Sequence, residues 1–583
     1  MNELEQKILN TIYNNRISKT ESDNWYKGDL NNIINKPYTI KELYEYIKNL
    51  PDIDKASDIL FKHIRSYSTI FFCIDIDHDG CTSGVVAKLA IKELFKEYDI
   101  KPFFIISSRK YNRGFNIDML DRIRNILNIN KQEKALIVTA DMGTGDEENY
   151  SIIKKEYPNI DIIVTDHHTV TDNYPKSADA LVNVHREDFK LDKCICGCVT
   201  LFFLFVMVKY KETSIMYNEE EFINVFKKLL PYACTSTLVD NMSLKYPINR
   251  YLIKLGLSII NSDNYDRNFN NFKKALKLPN ELSYKDISMS IGPLINTGNR
   301  LGFEKLTLYS LIVDDDDKSK EYLNKLLVLS SIRKKIVSRT METVINNNDV
   351  YELDNCVVVL SNTEAYIAGN IANNLTQMLG KPSICFNINN SDKLVGSARS
   401  IKGIKLLPLL TKINNDYPEL EIKAQGHNSA FGCSINKSGL DKFKKILNKE
   451  LDGKYDMDSI KINPELHLKH EELNIDTVNI IYKLAPYGLD WEYPIVTTDP
   501  MTVKDIIPIS NFYKLNFILS TGEIISGLHF FRYQSFSGVN FQNFKDVIRR
   551  NQTVKLLFQL QKQYYSNQHS VILEIIDIEP VYE

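Results

Sequence analysis

Residues 71–84 read Phe-Phe-Cys-Ile-Asp-Ile-Asp-His-Asp-Gly-Cys-Thr-Ser-Gly, an apolar run that gives way at once to carboxylates at Asp75, Asp77 and Asp79. The aromatic and branched content of residues 69–76 predicts a buried strand, and carboxylates spaced by two then converge where that strand leaves its sheet. In an open α/β sheet this end of the strand is where ligands bind. Gly80 and Gly84, with Thr82 and Ser83 between them, predict a flexible turn, followed by an amphipathic helix over residues 85–98. An acidic turn that merely caps a helix needs one Asp, whereas three clustered anions need a cation to offset their repulsion. The stretch reads as a metal site.

Two further strand ends carry matching chemistry. The apolar run 135–140 leads into Asp141-Met142-Gly143, and the run 162–165 leads into Asp166-His167-His168. Carboxylate oxygens combined with imidazole suit Mn²⁺ or Mg²⁺ and tolerate Zn²⁺; a pair of ions is expected, with Mn²⁺ preferred and Mg²⁺ as the second choice. The one cysteine cluster, Cys194, Cys196 and Cys198, lacks a second ligand group at zinc spacing. These three read as small residues in tight packing, with a redox or metal role as the alternative.

A chain of 583 residues that is 43% hydrophobic has material for several cores, about three or four domains. Residues 1–60 read as a helical leader packed on the first domain, with helices over 3–14 and 39–50, the second opened by Thr39 with Glu42 three positions on. From 61 to 257, strands at 69–76, 103–107, 135–140, 161–165 and 180–184 alternate with helices, which means a doubly wound parallel sheet. Residues 258–345 form a helix-rich connector ending in a long helix from 318. The acidic run at 314–317 reads as a solvated helix cap, not a metal site. Alternation resumes over 346–455 with strands at 356–360 and 383–387. The last region, 456–583, has short strands at 513–520, 523–531, 553–560 and 571–578, a β-barrel of OB type. There Lys545, Arg549, Arg550 and Lys555 interleave with Phe541, Phe544, Phe558 and Tyr564. Two readings stand level: a surface that tracks phosphates and stacks bases, or a barrel core with a solvated basic edge.

No charged N-terminus leads into an apolar core, and no apolar run approaches the roughly 18 residues that span a membrane. A cytoplasmic protein without membrane contact is expected, and its scattered cysteines fit a reducing compartment. A net charge of −2 provides no global field for a polyanion, so any nucleic-acid site must be local.

The set Asp-x-Asp-x-Asp-Gly at 75–80, Asp141-x-Gly143, Asp166-His167-His168 and Asp240 resembles the DHH phosphoesterase superfamily, and within it the RecJ-like single-strand-specific exonucleases. Arg109 with Gly114-Phe115 is similar to the family's Arg followed by Gly-Tyr-Gly. Val182-Asn183 is similar to its Val-Asn-Pro, with Val184 in place of proline, and Thr237-Leu238-Val239-Asp240 to its Thr-Val-Ala-Asp. The stretch from Gly292-Pro293-Leu294-Ile295-Asn296 to Arg300-Leu301-Gly302 also corresponds. Gly396-Ser397-Ala398-Arg399-Ser400 and Gly426-His427 resemble the substrate-binding motifs of the DHH-associated domain, with Gln425 where the family has glycine. The resemblance covers nearly the whole chain.

What it implies is an α/β architecture of two lobes, a DHH domain and a DHH-associated domain joined by a helical linker, plus the OB-type barrel. It implies two-metal phosphodiester hydrolysis, with Asp75, Asp77, Asp79, Asp141, His167 and Asp240 holding ions about 3.5–4 Å apart and Asp141 bridging them. Asp75, furthest back in its strand, is the weakest ligand of the set. His168 then faces the scissile phosphate and Asp166 orients a histidine. Arg109, Ser397 and Arg399 take the terminal 5′-phosphate, and Arg300 and His427 lie along the strand; a fork donor, a hydroxyl and free backbone are what a phosphate pocket needs. The activity expected is 5′ to 3′ hydrolysis of single-stranded DNA to mononucleotides, in recombination, repair or replication. A monomer is expected, with a single-strand-binding protein or a helicase as candidate partner. Three alternatives are a phosphodiesterase of short oligonucleotides or cyclic dinucleotides, opposed by the C-terminal barrel; a non-catalytic replication scaffold, opposed by the intact carboxylates and histidines; and an inorganic pyrophosphatase, opposed by the nucleic-acid-like segments.

Overall fold

The computed structural model describes residues 3–17, 38–108, 114–130, 134–170, 173–262, 266–346, 350–362, 367–388, 392–401, 403–428, 430–454, 463–509, 512–530, 544–565 and 568–582. The apolar runs of the first α/β region are strands: β1 (Thr69–Ile74), β2 (Phe103–Ile106), β3 (Ala135–Ala140), β4 (Ile160–Asp166) and β5 (Ala180–Asn183). They form one sheet in the order β2-β1-β3-β4-β5, and every pairing is parallel. Ile74 pairs with Ile106 and with Ala140, and Ala140 with Thr165, so the polar residues that follow these strands emerge along one edge. All six residues of β3 are buried, as expected of a parallel strand covered on both faces.

One face packs Phe71, Cys73, Ile137 and Val164 against Phe115, Met119, Ile123 and Tyr150. The helix Gly197–Thr213 lies nearby, with the Phe205 ring 6.1 Å from that of Phe72. It is buried from Gly197 to Val208, which explains a helix that is apolar all round. No helix among the described residues is long and apolar enough to cross a membrane.

The expected turn at Gly80–Gly84 is instead the start of a helix, His78–Leu89, which continues as a π-helical turn, Ala90–Leu94, and a 3₁₀ turn, Lys96–Tyr98. Gly80 is there for proximity. A Cβ at this position would lie 2.3 Å from the Asp75 carbonyl oxygen, so only glycine lets the helix start so close to the strand that feeds it.

The described residues fall in two compact units, Asn24–Arg333 with Pro486–Glu492, and Met1–Asp23 with Lys334–Ala485 and Tyr493–Glu583. The N-terminal region is divided between them. Helices Ile40–Lys48 and Ile53–Arg65 belong to the first unit, and Thr39 and Glu42 make the expected reciprocal cap. Helix Glu3–Ile17 belongs to the second, where Arg16 forms a forked pair with Glu465 at 2.8 and 2.9 Å and Lys7 reaches Glu472 at 3.1 Å. The long helix is Asp316–Asn346, 31 residues. Ahead of it Asp315 caps the Lys318 amide at 3.0 Å, while Asp314 is ion-paired to Lys88 and Lys92, both at 2.9 Å, rather than simply solvated.

The second unit carries two sheets. Six strands, β6 (Val350–Glu352), β7 (Val357–Ser361), β8 (Ser383–Asn387), β9 (Lys393–Arg399), β10 (Lys423–His427) and β11 (Ala430–Asn436), assemble in the order β10-β11-β9-β8-β7-β6, with only β7 and β8 parallel. Helix Ala368–Leu379 covers one face through Ile371, Ala372 and Leu375; Phe386, Leu394 and Phe443 fill the other. The third sheet has β12 (Leu466–Leu468), β13 (Val496–Thr498), β14 (Met501–Ile509), β15 (Phe512–Ile518), β16 (Ile524–His529), β17 (Thr553–Tyr565) and β18 (Gln568–Pro580). The pairings β17-β14-β15-β16-β18 return to β17, a five-strand ring that fits an OB domain.

Candidate active site

Asp77 ends the loop after β1 and caps the helix His78–Leu89, its Oδ1 accepting from the amides of Asp79 at 3.1 Å and Gly80 at 3.2 Å. Asp79 points the other way. Its Oδ2 accepts from the Gly197 amide at 2.7 Å, and its Oδ1 from the Cys198 amide at 2.9 Å and from the Ser236 hydroxyl. The positive end of the helix Gly197–Thr213 thus lands on a buried carboxylate. This explains the Cys-x-Cys-x-Cys stretch. A Cβ at Gly197 would sit 2.6 Å from the Asp141 Cα, so the helix end needs small residues around a glycine, and burial pushes the thiols of Cys194, Cys196 and Cys198 up. All three are buried and free of disulfides.

Asp141 follows β3 with φ 61°, a left-handed conformation costly outside glycine and concentrated at functional sites. Asp166 ends β4 and is saturated: it accepts from the amides of Thr144 at 3.0 Å, His167 at 2.7 Å and His168 at 3.1 Å, and its Oδ1 lies 2.8 Å from Nδ1 of His168. Burial works against the Asp166 charge, yet the His168 imidazolium and these donors hold it well below the usual carboxylate range. In return, and again against burial, Asp166 pushes His168 up to about 10. Half of the His168 ring faces solvent, so this cation is both oriented and presented.

His167 is buried, and its Nε2 lies 3.1 Å from Asp141 Oδ1 and 3.6 Å from both Asp79 Oδ2 and Asp240 Oδ2. Asp240 arrives at the C-terminal end of the helix Leu230–Val239. Three groups of donor atoms each fit within 4.8 Å: Asp75, Asp77 and Asp141; Asp79, His167 and Asp240; and Asp141, His167 and His168. Asp141 Oδ1 and Asp240 Oδ2 are buried without a hydrogen-bond donor. Burial first, then the charges of Asp79, Asp77 and Asp75, push the Asp141 carboxyl well up, and burial with Asp79 and Asp77 does the same to Asp240. Octahedral coordination at about 2.1 Å places neighbouring donors about 3 Å apart, so oxygen and imidazole lone pairs at these separations fit a divalent cation.

Ser397 and Arg399 lie in the second unit, on one face of β9 at a spacing of two. The helix Ala368–Leu379 begins against them: a Cβ at Gly369 would come 2.9 Å from Arg399 Nη2 and 3.5 Å from Ser397 Oγ. Arg399 donates to the Ala398 carbonyl at 2.7 Å, and burial lowers its guanidinium pKa. Arg300 ends the helix Gly292–Arg300 in the first unit. Arg109 lies outside the described residues, as does the side chain of His427, a β10 residue whose backbone pairs with Ala430 of β11.

Residues 69–240 match the DHH family, N-terminal domain, residues 354–453 the DHHA1 domain, and residues 465–577 the RecJ OB domain. The chain is a RecJ-like member of the DHH superfamily. Among curated relatives, the single-stranded-DNA-specific exonuclease RecJ of Haemophilus influenzae is 24% identical over 76% of this chain and 76% of its own length. That of Salmonella typhimurium is 23% identical over 77% and 78%. Of solved structures, RecJ from Thermus thermophilus in complex with Mn²⁺ superposes with a TM-score of 0.69 at 17% identity, covering 92% of this chain and 72% of that one. Exonuclease RecJ bound to manganese gives 0.53 at 18%, covering 71% and 97%. At these identities the structural likeness speaks to fold.

In this RecJ-like chain, part of the basic and aromatic mixture near the C-terminus resolves into core and rim. Phe544 and Phe558 are fully buried, Phe544 stacked on Tyr513 with centroids 4.5 Å apart, so neither is a base-stacking platform. Lys545, Arg549, Arg550 and Lys555 are exposed; Phe541 and the Tyr564 side chain lie outside the described residues. Two functional features escaped the sequence reading. Ser236 binds Asp79 from one residue ahead of the Thr237-Leu238-Val239-Asp240 motif. His78, between two of the carboxylates, is buried with neither ring nitrogen hydrogen-bonded, and burial, against the pull of Asp79 and Asp77, brings its pKa down to about 4. Its place inside the acidic motif was the available signal.

Proposed function

We propose that the protein is a metal-dependent exonuclease that degrades single-stranded DNA from its 5′ end and releases mononucleotides. The observation that carries this reading is the convergence of buried, donorless oxygens of Asp141 and Asp240 on His167 Nε2. Asp75, Asp77 and Asp141 would hold one ion and Asp79, His167 and Asp240 the second, with Asp141 shared. When bound, two divalent ions supply Lewis acidity and an activated water. Mn²⁺ is the preferred ion in this reading and Mg²⁺ the second.

The chain's own groups do the rest. Asp166 keeps His168 protonated and aimed, so that its imidazolium donates to the phosphate under attack. The amides at the start of the helix Gly197–Thr213 and the Ser236 hydroxyl hold Asp79 in place, which preorganises the ligand set. Arg399 and Ser397, which lie beside Gly369, are assigned to the terminal 5′-phosphate, as is Arg109; Arg300 and His427 are assigned to the strand. The protein acts as a monomer in recombination, repair or replication, with a single-strand-binding protein or a helicase presenting the strand.

The test is incubation with Mn²⁺ and single strands labelled at either end, with and without a 5′-phosphate. Release of labelled mononucleotide first from the 5′ end, faster with the phosphate, is expected. First release from the 3′ end would overturn the polarity, and no release would overturn the activity.

A further inference from the structure

A cleft of about 320 Å³ opens beside the metal-binding carboxylates, at the end of β2, within the range of roughly 300–1,000 Å³ typical of small-ligand sites. Ile74 pairs with Ile106, so Asp75 and Ser107 follow as neighbours along the same sheet edge, and the Ser107 amide donates to the Ile74 carbonyl at 3.0 Å. Its lining includes polar groups, Ser107, Ser108, whose hydroxyl reaches Glu304 at 3.4 Å, and Arg122, which is held by Asp118. Phe303 and Lys305 line it too.

Of the apolar residues that line the cleft, Phe303, on the turn after the helix Gly292–Arg300, is the exposed one, at 51%, while Ile106 is buried and Leu306 half-buried. The turn is not soft: Gly302 takes φ 77° and the Phe303 amide donates to the Gly298 carbonyl at 2.8 Å. The preceding helix Gly292–Arg300 is pinned to the acidic motif, Asn299 donating to the Ile76 carbonyl at 3.1 Å and the His78 amide to Asn296 Oδ1 at 2.9 Å. The backbone that carries Phe303 is therefore tied to the acidic motif.

The lining selects its ligand. A buried carboxylate, Glu304, in the lining disfavours a bare anion, and the serine hydroxyls with Arg122 disfavour a purely apolar group. A flat unsaturated ring with hydrogen-bonding edges, attached to a phosphate near Lys305, satisfies every surface. We propose that this cleft is a subsite for one unstacked nucleotide of the strand, its base stacked on Phe303 and its phosphate beside Lys305. The proposal rests on the exonuclease reading above. Phe303 is then a specificity-determining residue, because it makes the enzyme sense whether a base is present.

The experiment uses the full chain with Mn²⁺ and 5′-phosphorylated single strands, each carrying one abasic nucleotide at a successive position. The wild type is expected to pause at a single register, when the missing base is due in the cleft. Phe303→Ala should abolish that register-specific pause and raise KM for an intact strand on the order of tenfold, whereas Phe303→Trp should restore both. A pause pattern identical in the wild type and Phe303→Ala overturns the subsite and leaves the exonuclease reading standing. A wild type that leaves every strand intact overturns the exonuclease reading, and the subsite with it.

Discussion

Asp141 concentrates the residue-level constraints. Its left-handed backbone admits Asn better than Ala, because a short polar side chain tolerates φ near +60°. Asp141→Asn should therefore fold, lose Mn²⁺-dependent hydrolysis, and melt higher than the wild type without metal, since one member of a mutually repelling cluster is neutralised. The wild type should gain melting temperature with added Mn²⁺ by mass action, and the variant much less, which calorimetry with and without chelator would check. His529 provides the pH dependence. It is buried in β16 and its Nδ1 lies 3.2 Å from the Ile575 carbonyl, and burial brings its pKa down to about 4. The unfolded chain binds the proton with a pKa near 6.5, so its stabilising effect is complete above pH 6.5 and is lost as pH falls toward 4, about 3 kcal/mol in all. Urea titrations across that window should show a steep slope that flattens in His529→Gln.

At the scale of elements, the decisive contact is between the start of the helix Gly197–Thr213, Asp141 after β3, and Asp79 in the first turn of the helix His78–Leu89. Gly197→Ala forces a Cβ to within 2.6 Å of Asp141, which the helix relieves only by backing away from Asp79. The expected cost is about 1–3 kcal/mol of stability. Because the helix supports the ligands, Mn²⁺ affinity should also fall roughly tenfold or more, read by titration calorimetry. A stability loss with unchanged Mn²⁺ affinity would show that the helix end only packs.

At the scale of the whole molecule, Pro486–Glu492 belongs to the first unit although its flanks belong to the second. Leu489 accepts from the Leu244 amide at 2.8 Å, and Arg250, 1% exposed, donates to the Pro486 carbonyl at 2.9 Å and lies over the Trp491 ring at 5.0 Å. Arg250→Met keeps the volume and loses the charge, the donor and the cation–π contact, a loss of about 2–3 kcal/mol. Trp491, one of two tryptophans in the chain, reports it directly: its emission should shift to the red at lower urea in the variant.

The boundary between what was legible in the amino-acid sequence and what was not follows the range of the interactions. Runs such as 135–140 and 383–387 are strands over those same residues, because burial on both faces leaves a continuous apolar signature. Asp75, Asp77, Asp79, Asp141 and His167 stand out because acids and imidazoles that follow apolar strands are chemically costly without a cation, whereas Asp240, at the end of the helix Leu230–Val239, was reached only through the family resemblance. The helix start at His78 was hidden because Gly80 and Gly84 are poor helix formers, and local propensity points to a turn. Only the tertiary structure shows why glycine is needed there, the Asp75 carbonyl being so near. The same holds for Phe544 and Phe558, whose place inside the ring depends on which strand faces which. By itself the sequence determined the fold class and the family, since these rest on side-chain type, motif order and short-range period. That Asp79 receives the Gly197–Thr213 helix start and the Ser236 hydroxyl was decided by the tertiary structure, because those hydrogen-bond donors lie more than a hundred residues away in the chain, whereas Asp77 caps its helix through amides two and three residues on.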